Sequence, residues 1–163
     1  MEYFITTIGQ DSHRFDDKAP EGGYIMLGGV QIPFDRAYVA NSDGDVLLHA
    51  ITNAISGYTC VNVLGGAADK LCLEQGIKDS SVYIPEAMKD VKGAQILHVS
   101  ATMECLRPKL KDHIPAMRER IAGLLNIDPK SVGITATTGE GLTEFGRGEG
   151  ISVFVLISWK VTG

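Results

Sequence analysis

Cysteine is scarce in this chain, as are the other marks of a disulfide-stapled or membrane-spanning protein. Its three cysteines, Cys60, Cys72 and Cys105, are odd in number and lack CxxC or zinc-ligand spacing. This argues against a disulfide framework, and reduced, mostly buried thiols are expected. No apolar run approaches the roughly 20 residues of a bilayer span. The opening MEYFITTIGQDSHRF has no basic stretch leading into an apolar one and is too acidic for a transit peptide, so a cytoplasmic location is expected. Positive charge is in deficit: 15 Lys and Arg against 20 Asp and Glu leave a net charge of −5. That balance argues against a phosphate-backbone footprint, hence against nucleic acid as the main partner. A small anion needs a locally built pocket.

What remains is an ordinary globular composition, 44% hydrophobic and 21% charged over 163 residues, suited to one domain, 1–163, burying about 70% of its unfolded surface. Glycine is in excess: 19 residues exceed the roughly 7% usual share. They cluster at Gly22-Gly23, Gly28-Gly29, Gly65-Gly66 and from Gly139 to Gly150, where loops use unusual backbone conformations.

Tyr3 to Gly9 is β-branched and aromatic and predicts a strand running into Gln10-Asp11-Ser12-His13-Arg14. Tyr24–Leu27, Gly28-Gly29 and Val30–Ile32 predict a tight hairpin closed by Pro33. Ser42 and Asp45 mark a helix start, with Asp43 and Asp45 in its first turn, and Val46, Leu47, Ala50, Ile51, Ala54 and Ile55 carry it from about Asp43 to Tyr58. Between Thr59 and Lys92, interruptions at Gly65, Gly66, Gly76 and Pro85 predict loops and short helices. A strand over Ile96–Met103, a helix opened by Pro115, and strands over Val132–Thr137 and Ile151–Val161 complete the α/β (α+β) pattern.

Asp11 and His13 flank one residue on a strand, which points both side chains the same way. His49, expected opposite the apolar stripe of its helix and in line with Asp45 and Asn53, makes a possible third ligand of an open, zinc-type site. The alternative is a solvated histidine and a turn aspartate. Ala136-Thr137-Thr138-Gly139-Glu140-Gly141 offers hydroxyls and free N–H groups to phosphate oxygens, with Glu140 able to hold a hard divalent ion, or is a flexible loop. Arg107 to His113 is either an anion-facing loop or an exposed helix entry.

Together, Asp11-x-His13, Ser42-Asp43-Gly44-Asp45 with His49, Pro108-Lys109 with His113-Ile114-Pro115-x-Met117-Arg118, and Ala136-Thr137-Thr138-x-Glu140 before Gly146-Arg147-Gly148-Glu149-Gly150 resemble the 2-C-methyl-D-erythritol 2,4-cyclodiphosphate synthase family. The resemblance covers nearly the whole chain. It implies a mixed β-sheet with helices packed on one face, a homotrimer with sites between neighbours, and Arg147 and Glu149 near the threefold axis. The implied reaction converts 4-diphosphocytidyl-2-C-methyl-D-erythritol 2-phosphate, a small cytidine diphosphate substrate, into the cyclic diphosphate and CMP, within non-mevalonate isoprenoid precursor synthesis.

By that resemblance Asp11, His13 and His49 hold zinc or another divalent cation that polarises the β-phosphate, and the substrate's own 2-phosphate attacks in line. Glu140 holds magnesium or manganese between the phosphates. Thr138 and Thr137 orient the phosphates, Asn41, Ser42 and Arg147 contribute to substrate binding, and Lys109 with the backbone from Cys105 to Lys111 lines the cytidine pocket. The chain departs from the family pattern at Asn41 and Asn53, where His and Asp are usual, and in Val61 to Tyr83, which has no clear counterpart of the Asp-x-Gly and Phe-Pro-Asp-Thr-Asp segments. Asp69, and after it Asp79, are the candidates to replace those carboxylates. A noncatalytic trimer that binds a cytidine nucleotide or diphosphate is the competing expectation.

Overall fold

Strand β1 (Glu2–Arg14) is longer than its apolar stretch, because the polar run Gln10–Arg14 keeps pairing with the last strand of the chain as far as Arg14 opposite Gly150. The computed structural model describes residues 1–163. After β1 come the hairpin strands β2 (Tyr24–Leu27) and β3 (Val30–Pro33), helix α1 (Val46–Thr59), helix α2 (Tyr83–Met88), β4 (Ala94–Glu104), helix α3 (Ile114–Leu125), β5 (Val132–Thr137) and β6 (Gly150–Thr162). The main sheet has the order β1-β6-β4-β5; β6 is antiparallel to both neighbours and β4 is parallel to β5, so the sheet is mixed. No helix is long and apolar enough to cross a membrane.

Alternation along β6 assigns the two faces. Ile151, Val153, Val155, Ile157 and Trp159 are fully buried under the helices, whereas Phe154 and Leu156 on the other face are 48% and 45% exposed. Phe4 and Ile8 of β1 are also uncovered, at 68% and 61%. The core therefore lies on one side of the sheet, and the opposite face carries an uncovered apolar patch of Phe4, Ile8, Phe154 and Leu156 among polar residues.

The hairpin turns on Gly28 and Gly29, both with positive φ (61° and 71°), as a two-residue turn of this hand requires. Asp45 joins that turn to α1. Its carboxylate accepts from Gly28 N at 2.9 Å, Gly29 N at 2.7 Å and Leu48 N at 3.0 Å, so it caps the helix and clamps the hairpin together. Asp45 is thus the cap and Asp43 precedes the helix, rather than both lying in its first turn. A further correction concerns α1 itself. It is buried through most of its length, so the face opposite the apolar stripe, His49 included, is largely covered too.

Only one thiol meets the expectation of burial. Cys105 is buried, Cys72 is half-buried and Cys60 is exposed, where it ends α1 in the left-handed conformation at φ 59°; all three are unpaired.

Candidate metal and phosphate site

Two elements build the metal-binding group, and a glycine brings them together. A Cβ on Gly9 would lie 2.0 Å from the Ala50 carbonyl oxygen and 2.4 Å from Ala54 N, so only glycine lets α1 lie so close to β1. One turn along, Asn53 donates to Gln10 O at 3.0 Å, and His49 faces Asp11 and His13.

The three donor atoms form a triangle. His49 Nδ1 is 3.0 Å from Asp11 Oδ2, His13 Nε2 is 3.3 Å from His49 Nδ1, and His13 Nε2 is 3.5 Å from Asp11 Oδ2. Ligands about 2.0–2.1 Å from a tetrahedral zinc lie roughly 3.3 Å apart. The edges fit such an ion, as does the donor set of two imidazoles and one carboxylate. Burial holds the His13 imidazole below the ordinary histidine range, opposed by the Asp11 carboxylate and reinforced by His49, which favours the neutral form that ligates. The His13 ring lies against Tyr38 at 5.6 Å, and Tyr38 stacks on Phe15. Burial pushes the Tyr38 hydroxyl well above the usual tyrosine range, and it has no hydrogen-bond partner.

The triangle opens into a cavity of about 360 Å³ that Asn41, Ser42, Asp69, Cys72 and Tyr83 also line. Asp69 stands between Val63–Ala67, whose backbone is non-helical at Leu64 and Gly65, and the wide turn Lys70–Glu74, and it lines the same cavity as the metal group. Asp79, the other candidate, does not line the cavity; its side chain accepts from Ser81 N at 2.9 Å and caps the turn Ser80–Val82. Beside the triangle lies a pair that sequence reasoning missed. Ser80 Oγ is 2.8 Å from His49 Nε2 and donates to Asp43. Asp43 is visible in its motif, but nothing in the sequence around Ser80 ties it to His49.

A second cavity, of about 280 Å³, is lined by Cys105, Pro108, Lys109, Leu110, Lys111, Ile114, Ala136, Thr137 and Thr138. Here β4 and β5 end side by side, with Cys105 N donating to Thr137 O at 3.1 Å. Burial pushes the Cys105 thiol up to about 11, so it is a wall and not a nucleophile. Hydroxyls, lysines and backbone from two strand ends give this cavity the character of an anion site. The two cavities share no lining residue.

Glu140 lines neither cavity. It is exposed on the turn after β5 with φ 53°, between Gly139 at 72° and Gly141 at 75°. Behind the turn, Thr143 Oγ1 donates to Glu104 and accepts from Gly146 N at 3.0 Å, which fixes the loop's base. Arg147 pairs with Glu144 at 3.3 Å and Glu149 with Arg14 at 3.2 Å, and none of the four lines either cavity.

Comparisons with known proteins converge on one family. Residues 4–160 match the YgbB family. A Chlamydia trachomatis protein named 2-C-methyl-D-erythritol 2,4-cyclodiphosphate synthase is 47% identical over 153 residues, covering 93% of this chain and 85% of the relative. Among solved structures, the bifunctional IspDF from Campylobacter jejuni superposes with a TM-score of 0.87 at 29% identity, covering 99% of this chain; the chain spans 43% of that longer protein. A CDP-bound 2C-methyl-D-erythritol-2,4-cyclodiphosphate synthase superposes at 0.79 with 28% identity, covering 94% of this chain and 98% of the other.

Proposed function

The chain belongs to the YgbB family, and on that premise we propose that it is a metal-dependent phosphorus-oxygen lyase. It converts 4-diphosphocytidyl-2-C-methyl-D-erythritol 2-phosphate into 2-C-methyl-D-erythritol 2,4-cyclodiphosphate and CMP, in the cytoplasm, as a step of non-mevalonate isoprenoid precursor synthesis. The observation that carries the reading is the donor triangle of Asp11, His13 and His49 opening into a cavity of about 360 Å³.

A zinc-type ion on the triangle supplies Lewis acidity toward a phosphate oxygen. The remaining work is positioning. A bond forms between an oxygen of the substrate's 2-phosphate and the β-phosphorus, and the bond from that phosphorus to the CMP oxygen breaks, so the chain supplies no nucleophile. Thr137 and Thr138 donate to the phosphates, Lys109 and Lys111 supply positive charge, and the Cys105–Lys111 backbone takes the cytidine. Asn41, Ser42 and Asp69 line the metal cavity, where Asp69 takes the methylerythritol hydroxyls. Glu140, exposed on its turn, would hold magnesium or manganese, which would neutralise diphosphate charge.

The metal and nucleotide cavities belong, in this reading, to different copies within a homotrimer of whole chains, 1–163. Two observations support it: the cavities are separate within one chain, and the outer sheet face leaves Phe4, Ile8, Phe154 and Leu156 uncovered. Arg147 and Glu149 then lie near the threefold axis. The test is to supply the full chain, loaded with zinc and magnesium, with the linear diphosphate and to follow CMP and cyclic product by phosphorus NMR. Cyclic product and a trimeric sedimentation coefficient are expected. CMP binding without cyclisation would leave a cytidine-nucleotide-binding protein instead.

A further inference from the structure

We infer that Asp43 and Ser80 are positioning residues that fix the tautomer of His49, so that its Nδ1 and not its Nε2 is the metal-binding atom. The inference rests on the metal reading of the Asp11, His13 and His49 triangle and is independent of which substrate the site takes.

The argument is a count of protons. Asp43 is an acceptor, and its carboxylate is already oriented by backbone: Oδ2 accepts from Ser80 N at 3.0 Å and Oδ1 from Asp45 N at 3.0 Å. Ser80 Oγ makes a close contact with Oδ1 of the same carboxylate, so its single hydroxyl proton goes to Asp43. That leaves Ser80 Oγ with lone pairs facing His49 Nε2 at 2.8 Å, and only a protonated Nε2 satisfies the contact. A neutral His49 protonated at Nε2 has its lone pair on Nδ1. Nδ1 is the atom that faces Asp11 Oδ2 at 3.0 Å and His13 Nε2 at 3.3 Å. Two acceptors so close repel each other unless a cation lies between them, so the relay prepares the triangle for a metal instead of for an Asp11–His49 hydrogen bond. Ser80 and Asp43 are held where this requires: Ser80 is fully buried, and Asp43 N donates to Lys78 O at 2.9 Å. Tyr83 packs its ring 5.8 Å from that of His49.

The relay also assigns a purpose to a stretch with little periodicity. The Thr59–Lys92 region, through Ser80, reaches the side of the metal ligand opposite the metal.

Zinc titration of the full chain, without substrate, tests this. Ser80→Ala removes the acceptor for Nε2–H and is expected to weaken zinc affinity about 10- to 100-fold, while Ser80→Thr restores most of it. Nitrogen-15 NMR of the zinc-loaded parent should show His49 protonated at Nε2. Parent-like zinc affinity in a folded Ser80→Ala chain, or a His49 protonated at Nδ1, would overturn the inference. If Ser80→Ala does not fold, the NMR assignment alone decides. A chain that shows the relay but makes no cyclic product would overturn the proposed reaction and leave this inference standing.

Discussion

Gly9 of β1 and Ala50 of α1 touch through backbone alone: the space for a Cβ on Gly9 is occupied by the Ala50 carbonyl oxygen. The helix that carries His49 therefore lies directly on the strand that carries Asp11 and His13. Gly9→Ala should force α1 away from β1, destabilise the fold by about 3 kcal/mol or more and weaken zinc binding in parallel. Urea unfolding and zinc titration check both effects. A variant that loses stability but keeps zinc affinity would show that the triangle tolerates a displaced helix.

Zinc should stabilise the fold measurably. At a free concentration a hundredfold above its Kd, a ligand bound only by the native state adds about 2.7 kcal/mol. Thermal unfolding with and without a chelator measures this. His13→Ala should remove the zinc dependence while leaving the apo melting temperature close to the parent's, since His13 is only partly buried.

Asp45 gives the fold a pH dependence of defined sign. Burial raises its pKa from 3.8 to about 6, outweighing the three backbone N–H groups that favour the carboxylate. Folding thus takes up a proton between those values. The penalty is absent below about pH 4 and complete above about pH 6, with a ceiling of roughly 3 kcal/mol. The stability of the parent should fall relative to Asp45→Asn as pH rises through that window. Urea midpoints of both chains at pH 4.5, 5.5 and 6.5 give the comparison; parallel profiles would mean that Asp45 does not titrate there.

Asp69 separates substrate positioning from metal binding. Asp69→Asn should lower cyclisation while leaving zinc content and CMP affinity largely unchanged, because a substrate hydroxyl deprived of its partner costs about 1–3 kcal/mol. Cyclisation at the parent rate would remove Asp69 from the site and leave backbone groups of the same wall as the next candidates.

Glu140 has a backbone that favours glycine and a side chain exposed to solvent. Left-handed geometry costs a side-chain-bearing residue about 1–2 kcal/mol, nearly offset by the extra freedom a glycine gives the unfolded chain. Glu140→Gly should therefore leave the melting temperature unchanged or slightly raised, yet abolish cyclisation. A clear loss of stability would show that the Glu140 side chain holds its own turn.

The sheet and α1 were legible in the sequence because apolar periodicity reports burial: the alternation of Ile151 to Trp159 and the spacing of Val46 to Ile55 each match a buried face. The end of β1 was less so, since Gln10 to Arg14 carry polar side chains but still pair by backbone with β6. The metal triangle could be proposed from Asp11-x-His13 and a helical histidine, but the approach that closes it depends on a missing Cβ at Gly9. The role of Ser80 was invisible. A serine 31 positions from His49 has no periodicity to announce a side-chain contact, and the wide turns over Lys70–Glu74 follow no regular helical spacing. Asp79 shows the reverse, a carboxylate available in the sequence but already used as a cap.

Because the two cavities draw on disjoint sets of residues, damage to one leaves the other whole. Asp11→Asn would spoil only the metal half and Lys109→Ala only the nucleotide half, so each protein alone should be inactive. In the proposed homotrimer, the two unfolded together and refolded as a mixture should recover activity, because some neighbouring pairs combine the intact half of each. Random association in a closed ring puts that recovery at about a quarter of the parental rate. A working enzyme can thus be assembled from two dead ones.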